Sequence, residues 1–580
     1  MVVRALSVIL FGSLCCGLAV AQTTQQPASL KLTLKGLDGS LEENAKAWLT
    51  PLQKTGLSDS ATDLMKVEKA LRLALRALGY YQPTIRFTRT KADRLTVEVS
   101  PGTPVKLVST NVNITGEGAD DRIFRFVSQR VPKPGTILNH GDYEQFKQTL
   151  SNVALHRGYF DAEFHKSELG VSLPRHEAIW TIDYETGPRW TFGPVTYKGS
   201  QIDTRFLDNM KPFKTGEPYN ADTLGEFNQR LAKSGWFTSA VVAPDFQAAR
   251  DAHSTELPFQ ADVVPRKANL IETGLGFATD TGPHGKVNWV RPWVNRRGHS
   301  MSASTSISAD EQQMDFSYKL PRITNPLEEY WLLQSALKHT SLNDTDSNNL
   351  TLALSRNWEF STGWQRSIGA HIMYDSFTQA GISNNTLLFY PGISFSRTRA
   401  RGGTMPYWGD SQRYSIDVST EYLGSDVDFA IFQAHWTFIR SPAQGHRFVL
   451  RGGAGKIKTN RFMEVPPDLR FFAGGDRSVR GYDYESISPR DNQGRLTGAS
   501  AMVTGSVEYQ YRVTGKWWGA AFIDAGDASN SFANFHWKKG AGVGVRWNSP
   551  VGPVKFDIAR PIGDPDHKDF QFYIGLGAEL

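Results

Sequence analysis

Residues 414–422 read Tyr414-Ser415-Ile416-Asp417-Val418-Ser419-Thr420-Glu421-Tyr422, and this stretch decides the fold. Its apolar, aromatic and β-branched residues occupy every second position, with serines and acids between them. Such alternation predicts a β-strand with one polar and one apolar face. The segments 432–438, 554–558 and 570–580 show the same period. A sheet that covers the core of a soluble protein would alternate in the same way as a membrane-spanning sheet. The number of strands therefore has to distinguish these two kinds of sheet.

About 16 alternating segments lie between Asn269 and Leu580, separated by turns rich in Gly, Asn, Asp and Pro. They begin near Leu270, Lys286, Ser300, Met314, Tyr330, Leu350, Trp364, Thr386, Arg413, Phe429, Arg447, Ala499, Trp517, Lys538, Val554 and Phe570. An even strand count, abundant aromatic residues and a strand that reaches the last residue favour an outer-membrane barrel. Backbone groups in lipid must be hydrogen-bonded within the protein, so such a sheet must close. We therefore predict a transmembrane β-barrel of antiparallel strands over residues 269–580.

The first residues have the pattern of a secretory signal peptide. Arg4 precedes an apolar run from Ala5 to Leu18, and Ala19-Val20-Ala21 is a small-residue cleavage site. Residues 1–21 are therefore predicted to be removed, and they contain both cysteines of the chain. The mature protein is then expected to have no disulfide. A formal net charge of +6 without a basic run makes nucleic acid an unsuitable partner.

The front half contains a repeat. Gly79-Tyr80-Tyr81, Gly158-Tyr159-Phe160 and Gly235-Trp236-Phe237 are spaced 79 and 77 residues apart. Each triplet follows a segment with helical apolar spacing, and strand-like alternation follows each triplet, as in 95–99 and 179–184. The repeat therefore predicts three small α+β domains, each with the order strand, helix, helix, strand, strand.

This order resembles the POTRA domain, the polypeptide-transport-associated domain that precedes outer-membrane assembly barrels. The resemblance covers residues 29–104 for the first domain, 105–188 for the second and 189–267 for the third. Exposed strand edges in such domains can pair with an extended segment of another chain through backbone hydrogen bonds. Unfolded outer-membrane protein clients are the partners that this resemblance implies.

A glycine-rich stretch, Gly474 to Glu485 (GGDRSVRGYDYE), contains an arginine between an apolar residue and a Gly-Tyr pair. With the small domains in the periplasm, the strand count places it in the sixth extracellular loop. Val479-Arg480-Gly481-Tyr482 resembles the V-R-G-[FY] signature of the BamA/TamA superfamily of POTRA-barrel assembly proteins. In that family the sixth loop folds back into the barrel lumen, where its arginine meets acidic residues on strands twelve and thirteen.

The chain has candidate acceptors for this arginine. Phe522-Ile523-Asp524-Ala525-Gly526 matches the F-x-D-x-G pattern of the family, and Glu508 lies on the predicted twelfth strand. Glu508 has the opposite parity to Val507 and Tyr509, so its carboxylate should point inward. A guanidinium in a narrow lumen needs planar bidentate acceptors, which predicts a structural lock of Arg480 on Glu508 and Asp524. The alternative is a solvated arginine in a long surface loop.

Three POTRA domains before about 16 strands resemble most the TamA family, the outer-membrane subunits of the translocation and assembly module. This resemblance implies a TamB-like, inner-membrane-anchored partner that is reached through the first POTRA domain. It also implies clients such as autotransporter barrels. The last residue is leucine, whereas many outer-membrane proteins end in an aromatic residue.

The first and last predicted strands both carry paired glycines, Gly274 and Gly276 in one and Gly575 and Gly577 in the other. Glycine weakens a strand, so these positions predict a lateral seam that can open toward a client. The alternative is that the glycines only leave room for inward-facing side chains.

Two other classes of function are weighed against assembly. A two-partner-secretion-type pore would export one dedicated partner, and single-channel conductance would separate it from an assembly factor. An enzyme is the third class, but no G-x-S-x-G, H-E-x-x-H or P-loop motif occurs in the sequence. We therefore expect no catalytic site, no cofactor and no metal.

Overall fold

A computed structural model describes residues 30–91, 94–278, 282–550, 552–565 and 569–576. The predicted signal peptide lies outside these residues. The chain divides into two compact units. The first runs up to Thr191 and includes Pro218–Ala221, and the second contains Phe192–Glu217 and the chain from Asp222 onward. None of the helices among the described residues has the length and apolar character needed to cross a membrane.

The first unit contains two small α+β domains. Domain one consists of β1 (Lys31–Lys35), α1 (Gly39–Lys54), α2 (Ala61–Ala77), β2 (Thr84–Lys91) and β3 (Arg94–Ser100). Domain two consists of β4 (Lys106–Thr115), α3 (Arg122–Ser128), α4 (His140–Arg157), β5 (Glu163–Ser172) and β6 (Glu177–Glu185). Their three-stranded sheets have the orders β1-β3-β2 and β4-β6-β5, with the last strand in the centre. The predicted element order is confirmed in both domains.

Local sequence signals fix the helix ends in these domains. The Ser60 side chain accepts a hydrogen bond from the backbone N–H of Asp63 at the start of α2, as an N-cap does. Gly158 ends α4 in the left-handed region, with φ +86°. The aromatic residues of the repeat follow this cap: Tyr159 is buried in the core of domain two, where Trp180 and Tyr184 also lie.

Most of a third small domain belongs to the second unit. Its elements are β7 (Thr191–Lys198), α5 (Thr204–Asp208), α6 (Ala221–Lys233), β8 (Phe237–Pro244), α7 (Phe246–Asp251) and β9 (Glu256–Pro265). Its sheet order is β7-β9-β8. The short helix α7 was not predicted; Asp245 caps it by accepting a hydrogen bond from the Ala248 N–H. Within this unit, Trp236 of the third repeat donates its indole N–H to the Gly298 carbonyl of the barrel, at 3.0 Å.

The barrel strands are β10 (Leu270–Ala278), β11 (Gly282–Arg291), β12 (Ser300–Ile307), β13 (Glu311–Pro321), β14 (Glu329–Leu342), β15 (Thr345–Glu359), β16 (Gln365–Gln379), β17 (Ile382–Arg401), β18 (Trp408–Ser419), β19 (Phe429–Ala443), β20 (His446–Thr459), β21 (Ala501–Thr514), β22 (Trp517–Ser529), β23 (Lys538–Ser549), β24 (Gly552–Pro561) and β25 (Gln571–Leu576). They form one 16-stranded sheet in sequence order, every neighbouring pair antiparallel. The predicted barrel of about 16 strands is confirmed.

Alternation along the strands is polar inside and apolar outside. On β15 the outward residues Leu350, Leu352 and Leu354 are exposed. On the inward face of the same strand, Ser347 and Asn349 are buried and donate hydrogen bonds to Asp375 of β16. The opening stretch Tyr414–Tyr422 follows the pattern only up to Ser419. Thr420 caps a 3-10 turn over Glu421–Leu423, so the predicted strand was too long there.

The first and last barrel strands are the two ends of the sheet order. β10 and β25 lie side by side, with Cα atoms within 8 Å of each other. Among the described residues, no backbone register pairs these two strands.

Candidate functional site in the barrel lumen

The connection between β20 and β21, residues 460–500, folds into the barrel. Three antiparallel bridges give it a defined shape: Phe471 with Ala499, Ala473 with Ile487 and Arg490 with Leu496. Its apolar residues pack in one core with inward-facing residues of the wall. The loop contributes Val465, Phe471, Val479, Tyr482 and Ile487, and the wall contributes Leu388, Tyr390, Ile431, Ile457 and Met502. Apolar burial therefore holds the loop inside the lumen, with the V-R-G-Y motif at its inner surface.

Arg480 is buried, with 1% of its surface exposed, and its guanidinium is saturated by acids from the wall. Nε and Nη2 donate to the two carboxylate oxygens of Asp524 at 2.7 and 3.0 Å. Nη1 donates to Glu508 at 2.8 Å and to Asp557 at 3.1 Å. The ring of Phe522 lies under the guanidinium, with its centroid 3.3 Å from Cζ. This is the bidentate, stacked environment that suits arginine and not lysine.

The wall residues reach Arg480 because neighbouring strands are in fixed register. Asp524 of β22 pairs with Ser506 of β21, and Phe522 pairs with Glu508. All four residues therefore lie on the same, inward face. The structure thus brings the predicted Arg480, Glu508, Asp524 and Phe522 together. Gly526 lies one step along, where an added Cβ would be 3.0 Å from Cγ2 of Val479.

Two charged residues of the site were not predicted. Arg546 of β23 donates to Glu508 at 2.7 and 3.1 Å and to Asp557 of β24. Asp557 and Glu508 are therefore each shared by two arginines. The parity of both residues is visible in the sequence, since apolar Val545 and Phe556 flank them on the opposite face. Parity predicts only that the side chains of Arg546 and Asp557 point into the lumen. Their contacts with Glu508 and Arg480 depend on the register of four neighbouring strands.

Two arginines and three carboxylates thus form one buried network, with an excess of one negative charge. Desolvation opposes the charge of Arg480, but its bonds to Asp524 and the charges of Glu508 and Asp557 outweigh this, so its pKa is raised. Arg480 is therefore permanently charged, and any loss of a partner leaves unpaired charge in a dry site.

Close backbone approach explains two glycines of the site. Gly481 has φ +103°, and an added Cβ would lie 2.8 Å from the Arg560 backbone carbon. At Gly540 of β23, an added Cβ would lie 1.8 Å from the carbonyl oxygen of Arg480. The loop backbone therefore rests directly on the strand, which requires the absence of a side chain at that position.

Comparisons with known proteins follow the same division of the chain. Residues 294–579 match the Omp85 superfamily domain. Residues 31–101 match POTRA domain TamA domain 1, and residues 191–263 match the POTRA domain described as surface antigen variable number repeat. A region similar to the Omp85 superfamily domain thus follows regions similar to POTRA domains. The barrel of the chain therefore lies in the outer membrane, and its POTRA domains lie in the periplasm.

Two BamA proteins illustrate the likeness. Outer membrane protein assembly factor BamA from Nitratidesulfovibrio vulgaris is 23% identical over 452 residues, which are 73% of this chain and 56% of that protein. The chain thus spans little more than half the length of this relative. The crystal structure of BamA from Haemophilus ducreyi lacking POTRA domains 1–3 superposes with a TM-score of 0.69 at 15% identity. It covers 82% of this chain and 99% of that one, which shows a shared fold.

The V-R-G-Y motif of this Omp85 domain also contacts the last strand. Tyr573 of β25 is buried, and its hydroxyl accepts from the Gly481 N–H and donates to the Tyr482 carbonyl, both at 2.9 Å. Tyr482 in turn donates its hydroxyl to Asp564 at 3.2 Å. The lumen loop therefore holds β25 from the inside, next to the junction with β10.

The predicted seam glycines have different surroundings. An added Cβ at Gly274 would meet nothing within 4 Å, whereas one at Gly575 would meet the side chain of Lys555. Gly276 lies on β10, where its backbone pairs with His284. Gly577 lies outside the described residues. Within those residues no group of His, Cys, Asp and Glu could hold a metal ion.

Proposed function

We propose that the protein is an outer-membrane assembly and translocation factor that helps to insert and secrete β-barrel clients such as autotransporters. The observation that carries this proposal is the junction of β10 and β25, whose described residues lie side by side without a backbone register. An edge strand with free N–H and C=O groups is a template for another strand. A client strand that adds to β10 would enter the bilayer already hydrogen-bonded, as lipid requires.

The packing of β10 supports a weak junction. Leu275 is 90% exposed, and the described residues 271–275 are exposed on both faces of the strand. On the other side of the junction, the bonds of Tyr573 to Gly481 and Tyr482 connect β25 to the lock of Arg480. The lumen loop thereby stabilises the closed arrangement from within, and its release frees the last strand.

The POTRA domains supply edges for guidance. In each sheet the last strand is central, so the other two strands are edges that can accept an extended segment. We propose that the first domain binds a TamB-like, inner-membrane-anchored partner. The match of residues 31–101 to POTRA domain TamA domain 1 supports this assignment.

A secretion pore of the two-partner type is less well supported. The apolar core formed by the lumen loop and wall residues such as Tyr390 and Ile457 lies across the barrel interior. A polypeptide that occupies the lumen argues against a permanently open pore, whereas insertion through a lateral seam does not require an open lumen.

Closing the seam covalently is expected to abolish client insertion without preventing barrel folding. The variant Leu275→Cys with Ile574→Cys places one thiol on each side of the junction, in a mature chain predicted to have no other cysteine. The measurement is insertion of an autotransporter barrel into proteoliposomes, before and after crosslinking. The matched control is Thr273→Cys with Val287→Cys, which joins register partners on β10 and β11. Full insertion by a verified Leu275–Ile574 crosslinked sample rejects the seam.

A further inference from the structure

Six arginines occupy outward positions at the periplasmic ends of neighbouring barrel strands. We call them the arginine belt: Arg356 on β15, Arg366 on β16, Arg397, Arg399 and Arg401 on β17, and Arg440 on β19. Strand parity fixes their direction, because exposed Leu354, Ile368 and Phe395 lie on the same faces of β15, β16 and β17. These positions face the membrane and not the lumen.

Register brings the belt together on one surface. Arg366 pairs with Phe395, and its neighbour across β15 is Trp358. Arg401 and Arg440 both pair with Trp408 of β18. The guanidinium carbons of Arg401 and Arg440 lie 5.0 and 4.9 Å from the centre of the Trp408 ring. Tryptophan is the residue that occupies membrane interfaces, so the belt lies at the depth of lipid headgroups.

The belt is not neutralised by the protein. Among the described residues, two carboxylates share its outward surface. Glu329 is bonded to Arg356 at 3.0 Å, and Asp410 forms ion pairs with Arg399 at 2.8 Å and with Arg397 at 3.4 Å. Glu329 is also bonded to Arg322 of the preceding turn. Six belt arginines against two carboxylates leave an excess of four positive charges. An excess of positive charge of this size at a membrane interface attracts anions from outside the chain.

Arg366 shows the vacancy most clearly. Within the described part of the chain it has no carboxylate partner, and its buried Nε has no hydrogen-bond partner. Its guanidinium carbon lies over two rings, 4.2 Å from the centre of the Trp358 ring and 5.7 Å from the centre of the Phe360 ring. The Nε atom of Arg356 is likewise buried and without a hydrogen bond among the described residues. Two arginines on neighbouring strands thus each have a buried N–H group without a protein acceptor.

We propose that the arginine belt binds the headgroups of anionic phospholipids in the periplasmic leaflet of the outer membrane. A phosphodiester accepts the paired N–H groups of arginine in the same way as a carboxylate. The apolar residues above the belt, such as Leu354 and Ile368, would contact the acyl chains. This apolar surface favours a phospholipid over a free phosphate ion, because only the lipid has acyl chains that can contact it.

The part of the wall that follows β19 differs. On β20 to β23 the corresponding outward residues are His446, Tyr509, Tyr511, Trp517 and Trp547, with neither arginine nor lysine among those described. Aromatic residues without arginines anchor the barrel at the level of the lipid headgroups, but they do not favour anionic headgroups over neutral ones. Anionic lipid is therefore expected to be recruited along β15 to β19 and not along β20 to β23.

The test is native mass spectrometry of the full chain extracted from bilayers of equal phosphatidylglycerol and phosphatidylcholine. The unmodified protein is expected to retain phosphatidylglycerol preferentially. Charge near an anionic surface contributes about a five-fold affinity per arginine, so Arg366→Gln with Arg401→Gln should lower the preference at least several-fold. The matched control is Arg413→Gln with Arg512→Gln, two arginines whose parity directs them into the lumen.

Each outcome decides the proposal. Equal retention of the two lipids by the unmodified protein overturns it, and this measurement does not depend on any variant folding. An equal loss of preference in the belt variant and the lumen control also overturns it, because net charge alone would then explain the effect. Competition by free glycerol phosphate at millimolar concentration would show an ion site and would reject the lipid. Retained preference in the control with loss in the belt variant supports it.

Discussion

Replacing Arg480 with alanine is expected to leave the protein in the outer membrane but to free the lumen loop and abolish client assembly. The side chain forms ion pairs with Asp524, Glu508 and Asp557, which are all buried. Removing one partner of a buried ion network costs about 3 to 5 kcal/mol, because the remaining charges are left unpaired. The barrel keeps its sheet, so the loss falls on the loop and on its bond to Tyr573.

Two measurements check this result. Protease should cleave within residues 460–500 of Arg480→Ala in intact membranes, and amide exchange in β25 should rise. Arg480→Lys should behave nearly as badly, since lysine cannot bond both oxygens of Asp524 and Glu508 together. Arg495→Ala is the control, because Arg495 lies in the same loop in a half-exposed pair with Asp491. A protease-resistant loop in Arg480→Ala would contradict the lock.

Gly540→Ala is expected to expel the loop although it removes no charge. The added Cβ would lie 1.8 Å from the Arg480 carbonyl oxygen, and neither backbone can move without breaking its contacts. The cost is set by sterics and should approach the several kcal/mol of a severe overpacking change. We expect assembly to fall by at least ten-fold and the protease pattern of Arg480→Ala to appear.

The control for Gly540→Ala is Gly505→Ala on β21. Gly505 lies on the outward face, and an added Cβ there would meet nothing within 4 Å. Both variants change a strand glycine to alanine, so a general effect on strand propensity would appear in both. Comparable activity of the two variants would show that the loop does not rest on β23 as described.

The barrel could be predicted because its signal is local. Period-two alternation marks a strand within a few residues, and the even number of such segments identifies a closed sheet. The errors are at strand ends, where one hydrogen bond decides. The alternation continues to Tyr422, but the chain leaves the strand at Thr420. The Thr420 hydroxyl caps a 3-10 turn by accepting a hydrogen bond from the Tyr422 N–H.

The lock was predicted only in part, for a physical reason. Parity directs Glu508 and Asp524 inward, and the motif supplies their arginine. Asp557 and Arg546 have the same inward parity, but many inward residues of a barrel are polar. Their selection depends on the register of β21 to β24, which no short stretch of sequence contains. The role of these residues as a lock stays a prediction.

The seam was predicted from glycines in the first and last strands, and the structure shows that Gly274 and Gly575 have different surroundings. Gly274 has open space where a side chain would be, which agrees with a loosely packed strand. Gly575 leaves room for the Lys555 side chain, which agrees with the alternative that glycine serves packing. The exposure of β10 on both faces is stronger support for a seam than the glycines are. Sequence periodicity carries no information on that exposure.

Disulfide trapping tests most directly whether the V-R-G-Y loop lies in the lumen. A Cβ added at Gly526 lies 3.0 Å from Cγ2 of Val479, the position that a cysteine sulfur would occupy. The variant Val479→Cys with Gly526→Cys is therefore predicted to form a disulfide in intact outer membranes under mild oxidation. Val479→Cys with Gly505→Cys, whose second thiol faces lipid, should form none. Absence of the Val479–Gly526 disulfide in correctly inserted protein would place the loop, and Arg480 with it, outside the barrel.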